Sequence, residues 1–142
     1  MFSKACEYGI RSVLYIAKES QQDRRSNISK IAKAIDSPEP FTAKICQQLA
    51  RAGVILSKKG PKGGFYIEKD SKMRLMDIVI AIDGDSIFHK CCLGLHKCNP
   101  SHPCPIHSQF EEVKSRLKTM CENTLVVDLA DSLEEGDTFL KV

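Results

Sequence analysis

Val54-Ile55-Leu56-Ser57-Lys58-Lys59-Gly60-Pro61-Lys62-Gly63-Gly64-Phe65-Tyr66-Ile67 decides the fold. Val54 to Ser57 is apolar and β-branched at its start, and Phe65 to Ile67 is aromatic and β-branched. Each predicts a short strand. Between them stand three lysines, three glycines and a proline, the composition of a basic turn. Two helices are expected just before this hairpin. Residues 29–35 form the first, with Ile28, Ile31, Ala32 and Ile35 on one face. Asp36 to Pro40 is a turn, and Pro40 suits the first position of the next helix, where a missing N–H costs nothing. That helix runs through Lys44, Ile45, Leu49 and Ala52 and stops at Gly53, a left-handed cap. Helix, tight turn, helix, strand, basic turn, strand is a winged helix-turn-helix. Its third helix would enter the major groove of DNA. Thr42, Lys44, Gln47 and Gln48 cover the exposed part of that helix in this reading, with Gln matched to adenine and Lys to guanine or phosphate. Lys58, Lys59 and Lys62 would reach phosphates or the neighbouring minor groove.

Working outward, residues 3–19 read as a helix capped by Ser3, with Ile10, Val13, Leu14 and Ala17 at helical spacing. Leu75, Ile78, Val79 and Ile82 mark another, ended by Gly84. Further on, Ile106, Phe110, Val113, Leu117 and Met120 recur at steps of four, three, four and three, one seam of a long helix. A two-headed reader of a palindromic site needs a dimer, so this seam is expected to pair two chains. An acidic short helix from Thr124 to Leu133 completes the chain. The expected fold is mainly α with a small β-hairpin: a winged helix-turn-helix plus a long C-terminal dimerisation helix. Three parts are expected: 1–84 for DNA, 85–105 as a cysteine-rich sensor loop, and 106–142 for dimerisation.

Composition bounds the function. The 142 residues carry a net charge of +3, which hides an asymmetry. Residues 1–72 hold 14 Lys and Arg against 7 Asp and Glu, whereas 73–142 hold 7 against 11. A basic first half and an acidic second half fit a polyanion-binding head with a separate regulatory tail. No apolar run would span a bilayer, and Lys4, Glu7 and Arg11 interrupt any signal-peptide core, so a cytoplasmic protein with no membrane partner is expected. In that compartment thiols stay reduced. Seven cysteines there point to metal binding or redox sensing rather than structural bridges.

Three of the seven, Cys92, Cys98 and Cys104, are evenly spaced in the run from Cys91 to His107, a stretch rich in thiol and imidazole and broken by Gly94, Pro100, Pro103 and Pro105. Such a run is a loop that wraps a metal, an iron–sulfur cluster, or itself through disulfides. Zinc ligand pairs usually lie two to four residues apart, so the wider gaps here weigh against zinc. Cys46, Cys121 and Cys6 read as packing residues, and His89, His96 and His102 as solvated.

The order of these parts resembles the Rrf2 family of bacterial transcription regulators. The resemblance rests on Tyr8-Gly9-Ile10-Arg11, the Lys59–Phe65 wing, the three spaced cysteines and the closing Thr124-Leu125 into Asp128-Leu129. It implies a homodimer with crossed C-terminal helices, a DNA-reading head on each subunit, and an iron–sulfur cluster of the 2Fe–2S or 4Fe–4S type. By the resemblance, Cys92, Cys98 and Cys104 are ligands. The fourth is His107, or Glu7 of the partner subunit; one branch of the family uses the first and another branch the second. Cys91 is then a spare or resolving thiol. Pro38, Pro40 and Ala43 depart from base-reading positions of some relatives, so no operator sequence carries over. Some members sense through thiols without a cluster, which leaves a sulfenic-acid switch at Cys91 or Cys92 as an alternative. A redox enzyme is disfavoured, because there is no CxxC motif, cofactor-binding glycine fingerprint or paired-carboxylate arrangement. An interaction adaptor is disfavoured by the basic wing.

Overall fold

The computed structural model describes residues 1–142: six helices, one 3-10 turn and a two-stranded antiparallel sheet. α1 (Lys4–Gln21) begins where the Ser3 hydroxyl accepts the Cys6 N–H at 3.0 Å. α2 (Ile28–Ile35) is capped by the Asn27 side chain, which accepts the Lys30 N–H at 2.9 Å. It ends at Asp36, whose φ of 52° is left-handed and tolerable for a short polar residue. α3 (Glu39–Arg51) starts after Pro38. Pro40 takes its second rather than its first position, where the N–H is still an orphan. Gly53, at φ 75°, terminates it as expected.

The wing differs from the expected strands by about one step. β1 is Leu56–Lys58 and β2 is Gly64–Tyr66, with Ser57 opposite Phe65. Val54 does not open the strand, because its N–H bonds the Leu49 carbonyl at 3.0 Å and still belongs to the end of α3. Val54 and Ile55 are buried in the core instead. Ser26 also bridges β2: it exchanges two backbone hydrogen bonds with Phe65, at 3.0 and 2.8 Å. That close approach explains the paired glycines. A Cβ on Gly64 would lie 2.8 Å from the Ser26 carbonyl oxygen, and one on Gly63 would overlap the Lys58 carbonyl.

After the wing, α4 (Leu75–Asp83) packs on α1 and α3. A 3-10 turn (Ser86–Phe88) follows, then residues 89–106 run without helix or strand. α5 (His107–Asn123) comes next, and α6 (Val126–Glu134) folds back onto α1. A short backbone clamp ties the α5–α6 junction to the start of α4. The Leu75 N–H bonds the Thr124 carbonyl and the Val126 N–H bonds the Met73 carbonyl, both at 2.9 Å.

The core lies among α1, α2, α3 and α4. Ile16, Ile31, Ile35, Leu49, Ile55 and Ile78 are almost completely buried. Each such side chain contributes about 1.5–3 kcal/mol by leaving water. α5 is different. Of its 17 residues only Lys114 and Cys121 are buried. Val113 is 46% exposed and Met120 47%, while Ile106, the capping residue just before the helix, is 38% exposed. Phe110 and Leu117 on the same seam are half-buried.

Candidate functional site

The head presents two of the expected surfaces and alters the third. Lys58, Lys59 and Lys62 are all exposed along the wing. The wing is held at its base by Arg25, which donates to the Lys62 carbonyl at 3.4 Å and stacks 5.3 Å from the Tyr66 ring centre. Lys44 and Gln47 are exposed on α3. Gln48 is exposed too, but its amide donates to the Ala81 carbonyl of α4 at 3.1 Å, so it braces the head internally. Thr42 requires a correction. It is wholly buried, and its hydroxyl is within 2.9 Å of both the Pro38 carbonyl and the Ser37 hydroxyl. A β-branched hydroxyl can satisfy itself against the carbonyl four residues back, so polarity alone did not place it outside.

The Tyr8–Arg11 segment has a structural role. Arg11 donates to the Ile35 carbonyl at 2.9 Å, at the very end of α2, and its guanidinium lies 4.4 Å from the Tyr8 ring centre. Tyr8 meets Phe41 edge-on at 5.3 Å. These contacts fix the α2–α3 turn against α1.

The cysteine loop folds as a chain of small turns. Gly94 N–H bonds the Cys91 carbonyl, His102 N–H the Asn99 carbonyl, and His107 N–H the Cys104 carbonyl, all near 3.0 Å. The neighbouring backbone N–H groups of Leu93 and Leu95 favour the Cys91 thiolate and hold this thiol below the usual range, against burial. Ile106 N–H meets Cys104 and lowers it, but burial and the adjacent Cys91 thiol prevail and the Cys104 thiol sits above the usual range. Cys91, not Cys92, is thus the thiol turned inward against Cys104; Cys92 is exposed.

A second group forms where the loop enters α5. Cys98 Sγ lies 3.3 Å from His107 Nδ1 and 3.3 Å from a Glu111 carboxylate oxygen. Lys114 Nζ approaches the same sulfur at 3.4 Å and pairs with Glu111. Burial alone would depress the Lys114 ammonium, but Glu111 and Cys98 outweigh it and hold its pKa above the usual value. Lys114, followed by Cys98, holds Glu111 below the usual carboxylate range. Burial and Glu111 raise the Cys98 thiol despite Lys114. Glu111 and Lys114 escaped the reading of the seam because they are charged. The signal was present: 107, 111 and 114 are four and three apart, one face of a helix. Glu7 is exposed on α1 and pairs with Lys4 at 3.2 Å. His89, His96 and His102 are exposed. Cys6, Cys46 and Cys121 are buried, with burial pushing the Cys6 and Cys46 thiols up to about 12.

The donor chemistry fits an iron–sulfur group. Four thiols and an imidazole, donor types that iron–sulfur iron accepts, lie on one loop and the first turn of α5.

The model of a family of iron-dependent transcriptional regulators, Rrf2, matches residues 2–132. The chain belongs to the Rrf2 family. A protein of Aquifex aeolicus (strain VF5) described as an HTH-type transcriptional regulator is 35% identical over 143 residues, which covers 98% of this chain and 96% of that one. The HTH-type transcriptional regulator IscR of Yersinia pseudotuberculosis is 23% identical, covering 92% and 80%. Among solved structures, CymR, the global cysteine regulator of B. subtilis, superposes with a TM-score of 0.74 at 17% identity, covering 92% and 96%. IscR of T. potens does so at 0.72 and 18%, covering 97% and 91%. The Rrf2 fold, mainly helical with one small hairpin, is therefore shared. Rrf2 proteins are DNA-binding transcription regulators rather than enzymes, and this chain is one of them. No helix of this Rrf2 chain is long and apolar enough to cross a membrane.

Proposed function

We propose that this Rrf2 chain acts in the cytoplasm as a homodimer on a palindromic operator in double-stranded DNA and senses redox, nitric-oxide or iron–sulfur status. In this reading residues 1–84 bind DNA, 85–105 sense, and 106–142 dimerise. Lys44, Gln47, Lys58, Lys59 and Lys62 face the DNA; Gln48 holds α3 against α4. Phe110, Val113, Leu117 and Met120, with Ile106 at the helix entry, pair with their copies in the second subunit.

One observation carries the sensing role. The loop of residues 89–106 is long for a compact protein, and its thiols sit between the head and a helix that buries almost nothing of its own. Cys98 and Cys104, with Cys92 by the family resemblance, would hold an iron–sulfur cluster. His107, already 3.3 Å from Cys98, is favoured over Glu7 of the partner subunit as fourth ligand. When bound, the cluster supplies iron open to oxygen or nitric oxide beside a non-thiolate ligand. The protein's own part is mechanical. Order in the loop fixes the angle between α4 and α5, and so the spacing of the two recognition helices; DNA affinity follows the population of that geometry. Cys91 and Cys92 are adjacent, so only one serves as ligand. Cys91→Ala against Cys92→Ala reads which.

The test is an absorption spectrum with iron and sulfide analysis of protein purified without oxygen, followed by DNA affinity with and without the cluster. Matched iron and sulfide, and a DNA response that Cys98→Ala abolishes, support the reading. A colourless protein after reconstitution, or a response untouched by Cys98→Ala, sinks it.

A second reading is favoured by the Cys91–Cys104 contact. Peroxide would oxidise the Cys91 thiolate to sulfenic acid, releasing water on protonation. The Cys104 thiol would then displace a second water to close a disulfide. Mass spectrometry under non-reducing conditions after peroxide treatment decides it by the presence or absence of a Cys91–Cys104 crosslink.

A further inference from the structure

We propose that Cys98, His107 and Glu111 form a site for a single divalent transition-metal ion of the zinc class, with Lys114 as the internal cation that fills it when no metal is bound. The ligand set differs from that of the cluster reading: it adds Glu111 and omits Cys92 and Cys104.

Geometry is the first support. One ligand atom from each residue lies within 4.8 Å of the other two. Two of the separations, sulfur to imidazole and sulfur to carboxylate, are 3.3 Å. Ligands at ordinary zinc distances on a tetrahedron lie about 3.3–3.7 Å apart, so an ion needs only small rotations to reach all three. His107 and Glu111 are one turn apart on α5, the spacing by which a single helix presents two ligands to one ion. A thiolate, an imidazole and a carboxylate are all donors that zinc accepts, and three protein ligands leave a fourth position open.

The second support is Lys114. It is the one charged residue buried in the whole chain, 4% exposed. A buried ammonium is costly unless paired. Its partners here are Cys98 and Glu111, two of the three proposed ligands, and the ammonium lies 5.9 Å from the Phe110 ring centre. The pocket thus already selects positive charge. A metal ion would take the Cys98 thiol proton into solution and push the ammonium off the sulfur. Because Cys98 and His107 are also ligands in the cluster reading, a bound zinc ion and a complete cluster exclude one another. That exclusion rests on the proposed function; the site itself does not.

The experiment uses the full chain, freed of metal and titrated with cobalt(II), then with zinc(II) against a chromophoric chelator. One equivalent of cobalt is expected, with thiolate-to-cobalt charge-transfer absorption that zinc abolishes. Glu111→Gln is expected to weaken zinc binding at least about tenfold. His107→Ala leaves Lys114 its carboxylate, so it tests the ligand set even where Glu111→Gln unsettles the fold; a similar loss is expected. Lys114→Met keeps the stem and removes the competing charge, and should tighten binding. Cys104→Ala should bind zinc as the parent does. Unchanged affinity in both Glu111→Gln and His107→Ala, or loss of the cobalt spectrum in Cys104→Ala, overturns the proposal. Iron–sulfur reconstitution of the same parent protein is scored separately, so failure to hold a cluster refutes the sensing reading and leaves the cobalt result standing.

Discussion

The head and α5 solve the same problem in opposite ways. In α2, an eight-residue helix, Ile31, Ala32 and Ile35 are buried against α1 and α3. α5 is twice as long and buries only Lys114 and Cys121. Its seam residues at Val113 and Met120 stay nearly half exposed. A helix in water is marginal on propensity alone and draws stability from the face it buries. The head therefore carries its own reason to fold, while α5 depends on what it meets: a second α5, a filled loop, or both.

The comparison breaks most directly at Leu49. Leu49→Ala should cost about 2–5 kcal/mol and lower the denaturation midpoint of the whole chain. A loss confined to the wing signal would show that the head is not one unit. The wing comes next. Each of Lys58→Ala, Lys59→Ala and Lys62→Ala should reduce the salt dependence of DNA binding by about one unit of slope while leaving the fold intact. Fluorescence anisotropy across a salt series reads this, and an unchanged slope removes that lysine from the interface.

Val113→Glu sharpens the other half. At concentrations where the chain is monomeric, stability should move by no more than about 0.5 kcal/mol, because the residue is exposed. Sedimentation should nevertheless show the dimer dissociating. A stable dimer would place the interface elsewhere.

The cysteines divide along the same line. At pH 8 native alkylation should modify Cys92 first. Cys6 and Cys46, with thiols near 12, are then almost wholly protonated as well as buried and should resist until unfolding. Early labelling of Cys46 would mean that the head opens locally.

The smallest effect is at Glu111. Its carboxyl is held down chiefly by Lys114, so the stabilisation it gives is present at neutral pH and is lost as pH falls through its depressed value. The group is exposed, so the change should be slight. Stability across an acid series of the parent and Glu111→Gln should converge at low pH.

Much of the head was legible because local chemistry determines it. Ser3 caps α1, Gly53 closes α3, and the lysine-glycine turn makes a wing. Where the reading slipped, tertiary contacts overrode local pattern. Val54 and Ile55 have strand chemistry but serve the core, and Thr42 has polar chemistry but faces inward. Gln48, expected toward DNA, is exposed and also donates to the Ala81 carbonyl of α4. The candidate site was less legible. Spacing picks Cys92, which is exposed, whereas the adjacent Cys91 is the buried thiol, a one-residue difference that spacing does not carry. Glu111 and Lys114 were invisible to a search for apolar seams and thiols. The docking of α6 on α1 left no periodic mark distinct from any short amphipathic helix.

On the proposed dimer reading, the clamp between residues 73–75 and 124–126 would make α5 a lever. It pins the C-terminal end of a rod about 25 Å long and leaves the His107 end to the loop. A tilt of about ten degrees about that fulcrum carries the far end about 4 Å. In a dimer joined along these rods the same tilt is felt twice, once in each subunit, against half-sites about 34 Å apart on the duplex. Hydrogen bonds to phosphate tolerate only a few tenths of an ångström, so a shift too small to alter the fold is enough to put both heads out of step with the groove.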